Sequence, residues 1–427
     1  MSRDLPESRS LEGTYHDPDL SRDSGQSVER RTVSRQGPGT GNPYDEAMAA
    51  RFDREQEDLR ALCADRELST SEVFWQNDAY GGARILKRYA RVPESTSIRA
   101  IVPHGVYGDV AHDWEVQSLL PAALVYPAYR IPAYRARRIL PIPSAAPFVY
   151  ADKLVTYDGP REGTLFFPSH STHWLTVEMD FESLADKLLD LPSWMQPVTV
   201  ICYWRDIQLG NQLPFTRRGL RVVSAGHWLD PDFLLRLAHL LRQHRHAASN
   251  AFGSSLFYSV WAGCSFHFLH EAYDYTGADE RLRGELGGVS PALRQEWRQL
   301  ELLFSAPTAT ASQEQRSQAR RYLGGDDLRE PEDLADLIGW LRRLDRLGRS
   351  VLAFGGTRPP LAERASVMPV VPFALRRNTR PLAIRLRHLM SRGHCLLARC
   401  RPLRWLWRGA RSLVKRVGRT NKRRTPG

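Results

Sequence analysis

Apolar residues in the middle of this chain fall into short runs separated by polar turns. Thr164–Phe167, Val198–Tyr203, Leu220–Val223, Ala247–Ser249 and Cys264–Leu269 are rich in β-branched, aromatic and small residues, and each reads as a strand. Between them the period changes to that of a helix. Phe181–Leu189 is amphipathic, and Leu234, Leu237, Leu240 and Leu241 recur at helical spacing behind Pro231, with Asp230 as the expected cap. A glycine turn at Gly253 opens a further helix that runs to Trp261. Strands and helices that alternate over short connections predict an α/β fold with a parallel, doubly wound sheet, which binds ligands at the carboxyl ends of its strands.

The flanks are less regular. Residues 1–45 carry Ser, Arg, Asp, Gly and Pro without apolar periodicity and are expected to be disordered. A helix is expected over Tyr44–Leu68, through Met48, Phe52, Leu59 and Leu62. Ser97–Val102 reads as a strand ending at Pro103-His104-Gly105, Val116–Leu120 as a short helix stopped by Pro121, and Ala122–Tyr126 as a second strand. Ile131–Tyr150 is rich in Pro and Arg and ends in the apolar run Ala146–Tyr150. Further on, Ser312–Leu323 and Glu330–Leu347 have the pattern of surface helices and Val351–Phe354 that of a strand. No repeat of about twenty to fifty residues is visible.

Charge divides the chain more sharply than composition does. The net charge is +12, yet the 17 Lys and Arg between Phe373 and Gly427 face no Asp or Glu, so the rest is mildly acidic. That distribution disfavours a nucleic-acid enzyme with a basic cleft and points to a separate attachment segment. The tail interleaves Leu403, Trp405, Leu406, Trp407, Leu413 and Val414 with Arg404, Arg408, Arg411, Lys415 and Arg416, which suits a helix lying on an anionic membrane surface. Nucleic-acid binding and packing against the body are the alternatives for this segment. Five scattered cysteines without CxxC or Cys/His metal spacing fit a reduced, cytoplasmic setting. Neither an apolar leader nor a membrane-spanning run of about eighteen residues is present.

Candidate chemistry gathers beyond strand ends, where His170, Asp206, Gly226 and Asn250 all fall. The turn Ser249-Asn250-Ala251-Phe252-Gly253-Ser254-Ser255 leads into a helix start, whose unpaired N–H groups and partial positive charge suit a diphosphate. Ser254 and Ser255 can equally be plain capping residues. The loop Ser169-His170-Ser171-Thr172-His173 offers hydroxyl and imidazole groups to a sugar or phosphate oxygen, or caps a turn. His104 follows an apolar strand between close glycines, where it is either a base or a loop histidine bound to backbone. Metal binding is not expected, since no carboxylate or cysteine completes a set around His170 and His173. Serine-hydrolase, P-loop and dinucleotide-binding glycine patterns are missing as well.

Taken in order, His104-Gly105, Leu165-Phe166-Phe167-Pro168-Ser169-His170-Ser171-Thr172, Ser224-Ala225-Gly226 and Ser249–Ser255 resemble GT-B glycosyltransferase-like proteins of bacterial capsule and surface-polysaccharide biosynthesis. The group includes CDP-glycerol glycerophosphotransferases and polysialyltransferase-like enzymes, and the likeness covers roughly residues 95 to 270. It implies two facing Rossmann-like lobes: an acceptor-side lobe over 46–158 and a nucleotide-donor lobe with a helical extension over 159–372, followed by the basic tail 373–427. It also implies a metal-independent transferase without a cofactor, working at the inner membrane face on a nucleotide-activated donor and a glycan acceptor, with no nucleic acid. His104 and His170 would be catalytic, His104 as base. Ser171, Thr172, Asp206, Gly226, Ser249, Asn250, Gly253, Ser254 and Ser255 would meet the donor. A non-catalytic scaffold of a polysaccharide assembly is the alternative.

Overall fold

The computed structural model describes residues 43–67, 71–172, 174–277 and 289–353. The expectations for the N-terminal 42 residues, His173, Phe354 and the basic tail lie outside these. The chain divides into units Met1–Asp53 and Arg54–Gly427, and helix α1 (Pro43–Leu62) runs from the first into the second.

The first half of the second unit contains α2 (Gly82–Tyr89), α3 (Asp113–Gln117), strand β1 (Ala122–Val125), α4 (Ile131–Ala136), strand β2 (Leu140–Pro143) and α5 (Pro147–Leu154). β1 and β2 pair in parallel, Ala122 opposite Leu140 and Val125 opposite Pro143. The expected strand Ser97–Val102 joins β1 only through a bridge from Ile101 to Ala123. Its other edge is occupied by side chains. Asn77 donates to Ala100 O (2.9 Å) and accepts from the N–H of Val102 (2.9 Å), while Glu72 accepts from that of Ile98 (2.8 Å). Buried backbone groups must be paired, and here side chains substitute for a neighbouring strand.

The second half is the alternating one. It comprises β3 (Thr164–Phe167), β4 (Thr176–Met179), α6 (Phe181–Leu189), β5 (Val198–Ile201), α7 (Trp204–Leu209), α8 (Leu213–Arg217), β6 (Arg221–Val223), α9 (Phe233–Gln243), β7 (His246–Ser249), α10 (Ser254–Trp261), β8 (Ser265–Phe268) and β9 (Tyr273–Thr276). Five strands form a parallel sheet in the order β6-β5-β3-β7-β8. The chain moves outward from β3 to one edge, then returns to add β7 and β8 on the other side. The direction therefore reverses between β3 and β7, the point at which doubly wound sheets bind ligands. β4 and β9 pair separately as an antiparallel ribbon. The expected parallel, doubly wound sheet is thus present.

Several expectations change. Asp230 does not cap α9, which begins at Phe233; its buried carboxylate instead holds Arg66 and Arg236 at 2.6 and 2.5 Å. Val351–Ala353 continues the helix Pro331–Ala353 and is not a strand. That helix is the expected surface element with one face turned inward: Leu334, Leu337, Ile338 and Leu341, at helical spacing, are buried. Gln313–Tyr322 likewise buries Ala319 and Tyr322. One hydrophobic core takes in Val102, Leu124 and Phe148 together with Leu165, Ile201, Leu256 and Phe266, so it runs across the lobe boundary expected at residue 158. Among the described residues no helix is long and apolar enough to cross a membrane.

Candidate functional site

At the reversal point, loops following β3, β5 and β7 are tied to one another. Asn250, just after β7, accepts from the N–H of Ser169 beyond β3 at 2.6 Å, and its amide reaches Met179 Sδ on the ribbon at 3.1 Å. Asp206, in the first turn of α7, is 2% exposed and accepts from the N–H of Ser171 at 3.2 and 3.1 Å and from Asn211 at 2.9 Å. Burial pushes its carboxyl above the ordinary range, opposed by nearby His170 and these donors. Ser171 is fully buried and accepts from the N–H of Val177 at 3.0 Å. Thr172 accepts from the N–H groups of Trp174 and Leu175, both at 3.1 Å.

These bonds give four of the expected site residues a structural use. Ser171, Thr172, Asp206 and Asn250 fix the loop after β3 with the polar atoms that were expected to meet a donor. Ser249 is similarly engaged, its buried hydroxyl exchanging bonds with the N–H (3.1 Å) and carbonyl (3.0 Å) of Ala251. Gly226 adopts φ +101°, and a Cβ there would lie 2.8 Å from Arg236 Nη2, so the Asp230–Arg236 pair covers the site at which a donor contact was expected. His170 stays exposed, with its ring 4.3 Å from that of Tyr203.

The start of α10 is different. A Cβ on Gly253 would meet nothing within 4 Å, so the approach to this helix start is open. Ser254 Oγ accepts from the N–H of Val106 at 2.8 Å, two residues beyond His104. The expected glycine turn and the expected histidine loop, 148 residues apart in sequence, are thereby brought together. Ser255 is half-buried in the same first turn.

His104 sits in an aromatic cage. Its ring lies 5.2 Å from Tyr80, 5.3 Å from Tyr107 and 6.3 Å from Trp114, and Nε2 is hydrogen-bonded to the Tyr107 hydroxyl. Nδ1 is buried and, among the described residues, has no hydrogen-bond partner. Burial, reinforced by the Arg130 guanidinium and His112, pushes its pKa down to about 3. Arg130 is itself fully buried. It pairs with Glu115 at 2.9 Å, and its guanidinium carbon lies 5.3 Å from the Tyr107 ring centroid. Glu115 is further held by the Tyr134 hydroxyl at 2.6 Å.

A tyrosine pair links the two histidines. The hydroxyls of Tyr80 and Tyr203 are 2.7 Å apart; Tyr80 stands beside His104 and Tyr203 beside His170. Tyr80, Tyr107, Tyr203, Arg130 and Glu115 are not singled out by sequence patterns. Tyr107 alone had a local signal, three residues after His104 between two glycines. Among the described residues no group of three or more His, Cys, Asp or Glu could hold a metal ion. No protein-family model and no curated protein sequence matches this chain.

Proposed function

We propose that this protein is a GT-B-like transferase, its two Rossmann-like halves sharing one core, that moves a sugar or polyol phosphate from a nucleotide-activated donor to a surface polysaccharide. The observation that carries the reading is the junction of the His104 loop with the start of α10 through Val106 and Ser254. It ties the loop that carries His104 to an open helix start, where the leaving phosphate of a donor would be stabilised by N–H groups and the helix dipole. The site stands at the carboxyl side of a doubly wound sheet, next to the loops where its direction reverses. The chemistry asks for no metal: the leaving diphosphate is met by α10 and the reacting hydroxyl by the His104 side. The basic, Trp-containing tail would hold the enzyme at the inner membrane face, where such acceptors are assembled.

A scaffold that binds without catalysis is the second reading. It is favoured by one observation, the internal use of Ser171, Thr172, Asp206, Ser249 and Asn250, which leaves fewer side chains for a donor. Melting curves with CMP, CDP, UDP and GDP separate the two. A ligand held only by the folded state at about 100 times its Kd adds roughly 2.7 kcal/mol. The transferase reading expects one nucleotide to raise the melting temperature, and expects wild type but not His104→Ala to release that nucleotide from its activated donor. A protein that no nucleotide stabilises would be a scaffold.

A further inference from the structure

Antiparallel pairing sorts the side chains of the β4–β9 ribbon onto two faces. Val177 stands opposite Tyr275 and Met179 opposite Tyr273, so these four share one face. Thr176, Glu178, Asp274 and Thr276, all exposed, share the other. The first face is the inward one. Val177 is buried and its N–H bonds to Ser171, while Met179 Sδ receives the amide of Asn250. Yet Tyr273 and Tyr275 remain 38% and 37% exposed. Inward-facing rings with that much open surface mean that the ribbon roofs a crevice instead of closing a packed core. The sheet order gives its position. β4 continues from β3 and β9 from β8, and β7 lies between those two strands, so the ribbon spans the end of β7.

The two rings form a corner, with centroids 5.5 Å apart and planes at 75°. Burial pushes both phenols above their ordinary range, opposed at Tyr273 by Ser169 and reinforced at Tyr275 by Tyr273 and Asp206. The hydroxyl ends therefore reach in toward the loops after β3 and β5, and the exposed surface is ring. A planar aromatic guest suits such a corner, since it stacks on one ring while its edge meets the face of the other. We infer that Tyr273 and Tyr275 form the base-stacking subsite for the nucleotide, beneath the β4–β9 ribbon. Because the ribbon spans the end of β7, one nucleotide can reach from this corner to the Gly253 turn beyond that strand. The assignment rests on the transferase reading for the nucleotide and deepens it by naming the residues that hold the base.

Calorimetric titration of the full-length protein separates base from phosphate. CDP, UDP and GDP are compared with inorganic pyrophosphate, and CMP with inorganic phosphate. In wild type at least one nucleotide should bind about tenfold or more tightly than its inorganic counterpart, the margin expected of a stacked base. Tyr273→Leu and Tyr275→Leu keep apolar bulk but lose the ring face, so each should shrink that margin at least about threefold and leave affinity for the inorganic anion unchanged. Tyr273→Phe and Tyr275→Phe should preserve it. A wild type in which no nucleotide outbinds its inorganic counterpart overturns the inference, and so does a margin that both folded Leu variants retain. Saturation-transfer NMR needs no variant: in protein deuterated except at tyrosine rings, saturation of those rings should pass to the base protons of the bound nucleotide. Absence of that transfer overturns the inference even if the Leu variants fail to fold. The transferase reading fails separately. If the margin depends on both tyrosines but the activated donor is not turned over, the subsite stands and the transferase does not; turnover with a margin indifferent to both tyrosines is the reverse.

Discussion

At the scale of single residues, the site depends on ionisable groups kept in unusual states. His104 is half-buried, and desolvation pushes its pKa down to about 3, against about 6.5 in the unfolded chain. Between these values the unfolded state binds the extra proton, so stability falls as pH drops from about 6.5 toward 3. The slope from one such group is at most about 1.4 kcal/mol per pH unit. His104→Asn should therefore flatten the loss of melting temperature between pH 6.5 and 4 relative to wild type; parallel curves would show that His104 titrates normally. His267, lowered to about 4 by burial, acts in the same direction and leaves a residual slope. Glu115 sits at the opposite extreme of this economy of charge. Its replacement by Ala strands the guanidinium of Arg130 in the core, and should cost about 3–5 kcal/mol in denaturant unfolding. A loss below about 1 kcal/mol would mean that water reaches Arg130. His104 and Ser254 were visible in the sequence because each follows a strand at a glycine. Tyr80, Tyr203, Arg130 and Glu115 were not, since aromatic residues in apolar segments read as core and a buried ion pair leaves no local pattern. The bonds that Ser171, Thr172 and Asp206 make within their own loop are not legible in sequence for a related reason: a polar residue after a strand has the same signature whether it faces a ligand or ties down its own loop.

At the scale of elements, periodicity served best where strand and helix alternate. The strands of the five-stranded sheet and helices α6, α9 and α10 all coincide with expected segments. It failed in the first half. β2 reads Leu-Pro-Ile-Pro, and its prolines mask a strand that pairs with β1 on one edge. The segment Ser97–Val102 looks like a strand and is extended, but side chains complete its far edge. Asn77 is fully buried, and Asn77→Ala would leave Ala100 O and the N–H of Val102 without partners. At about 1–3 kcal/mol per orphaned group, a loss of roughly 3 kcal/mol is expected in urea unfolding. Since this segment leads directly into Pro103-His104, the same variant should also disturb the His104 NMR signals. A stable variant with unchanged signals would show that the bridge from Ile101 to Ala123 holds the strand by itself.

At the scale of the whole molecule, a mildly acidic body is followed by a strongly basic tail, and the attachment proposed for that tail can be tested by itself. Deleting residues 401–427 should release the protein from anionic vesicles and leave its melting temperature unchanged. Attraction is worth about 1 kcal/mol per basic residue near the surface and decays within a Debye length, so salt should weaken it in the intact protein. Equal pelleting of both forms would place attachment elsewhere. The claim on which the account rests most heavily is that the start of α10 receives the phosphate of a nucleotide. Gly253→Val tests it most directly, because the added side chain meets no protein atom within 4 Å of its Cβ, and the extended backbone at φ −175° accepts any residue. The variant is expected to melt within about a degree of wild type. Calorimetric titration with the nucleotide that stabilises wild type should then show affinity reduced at least about tenfold, a loss of roughly 1.4 kcal/mol. Equal affinity in Gly253→Val and wild type would contradict the account.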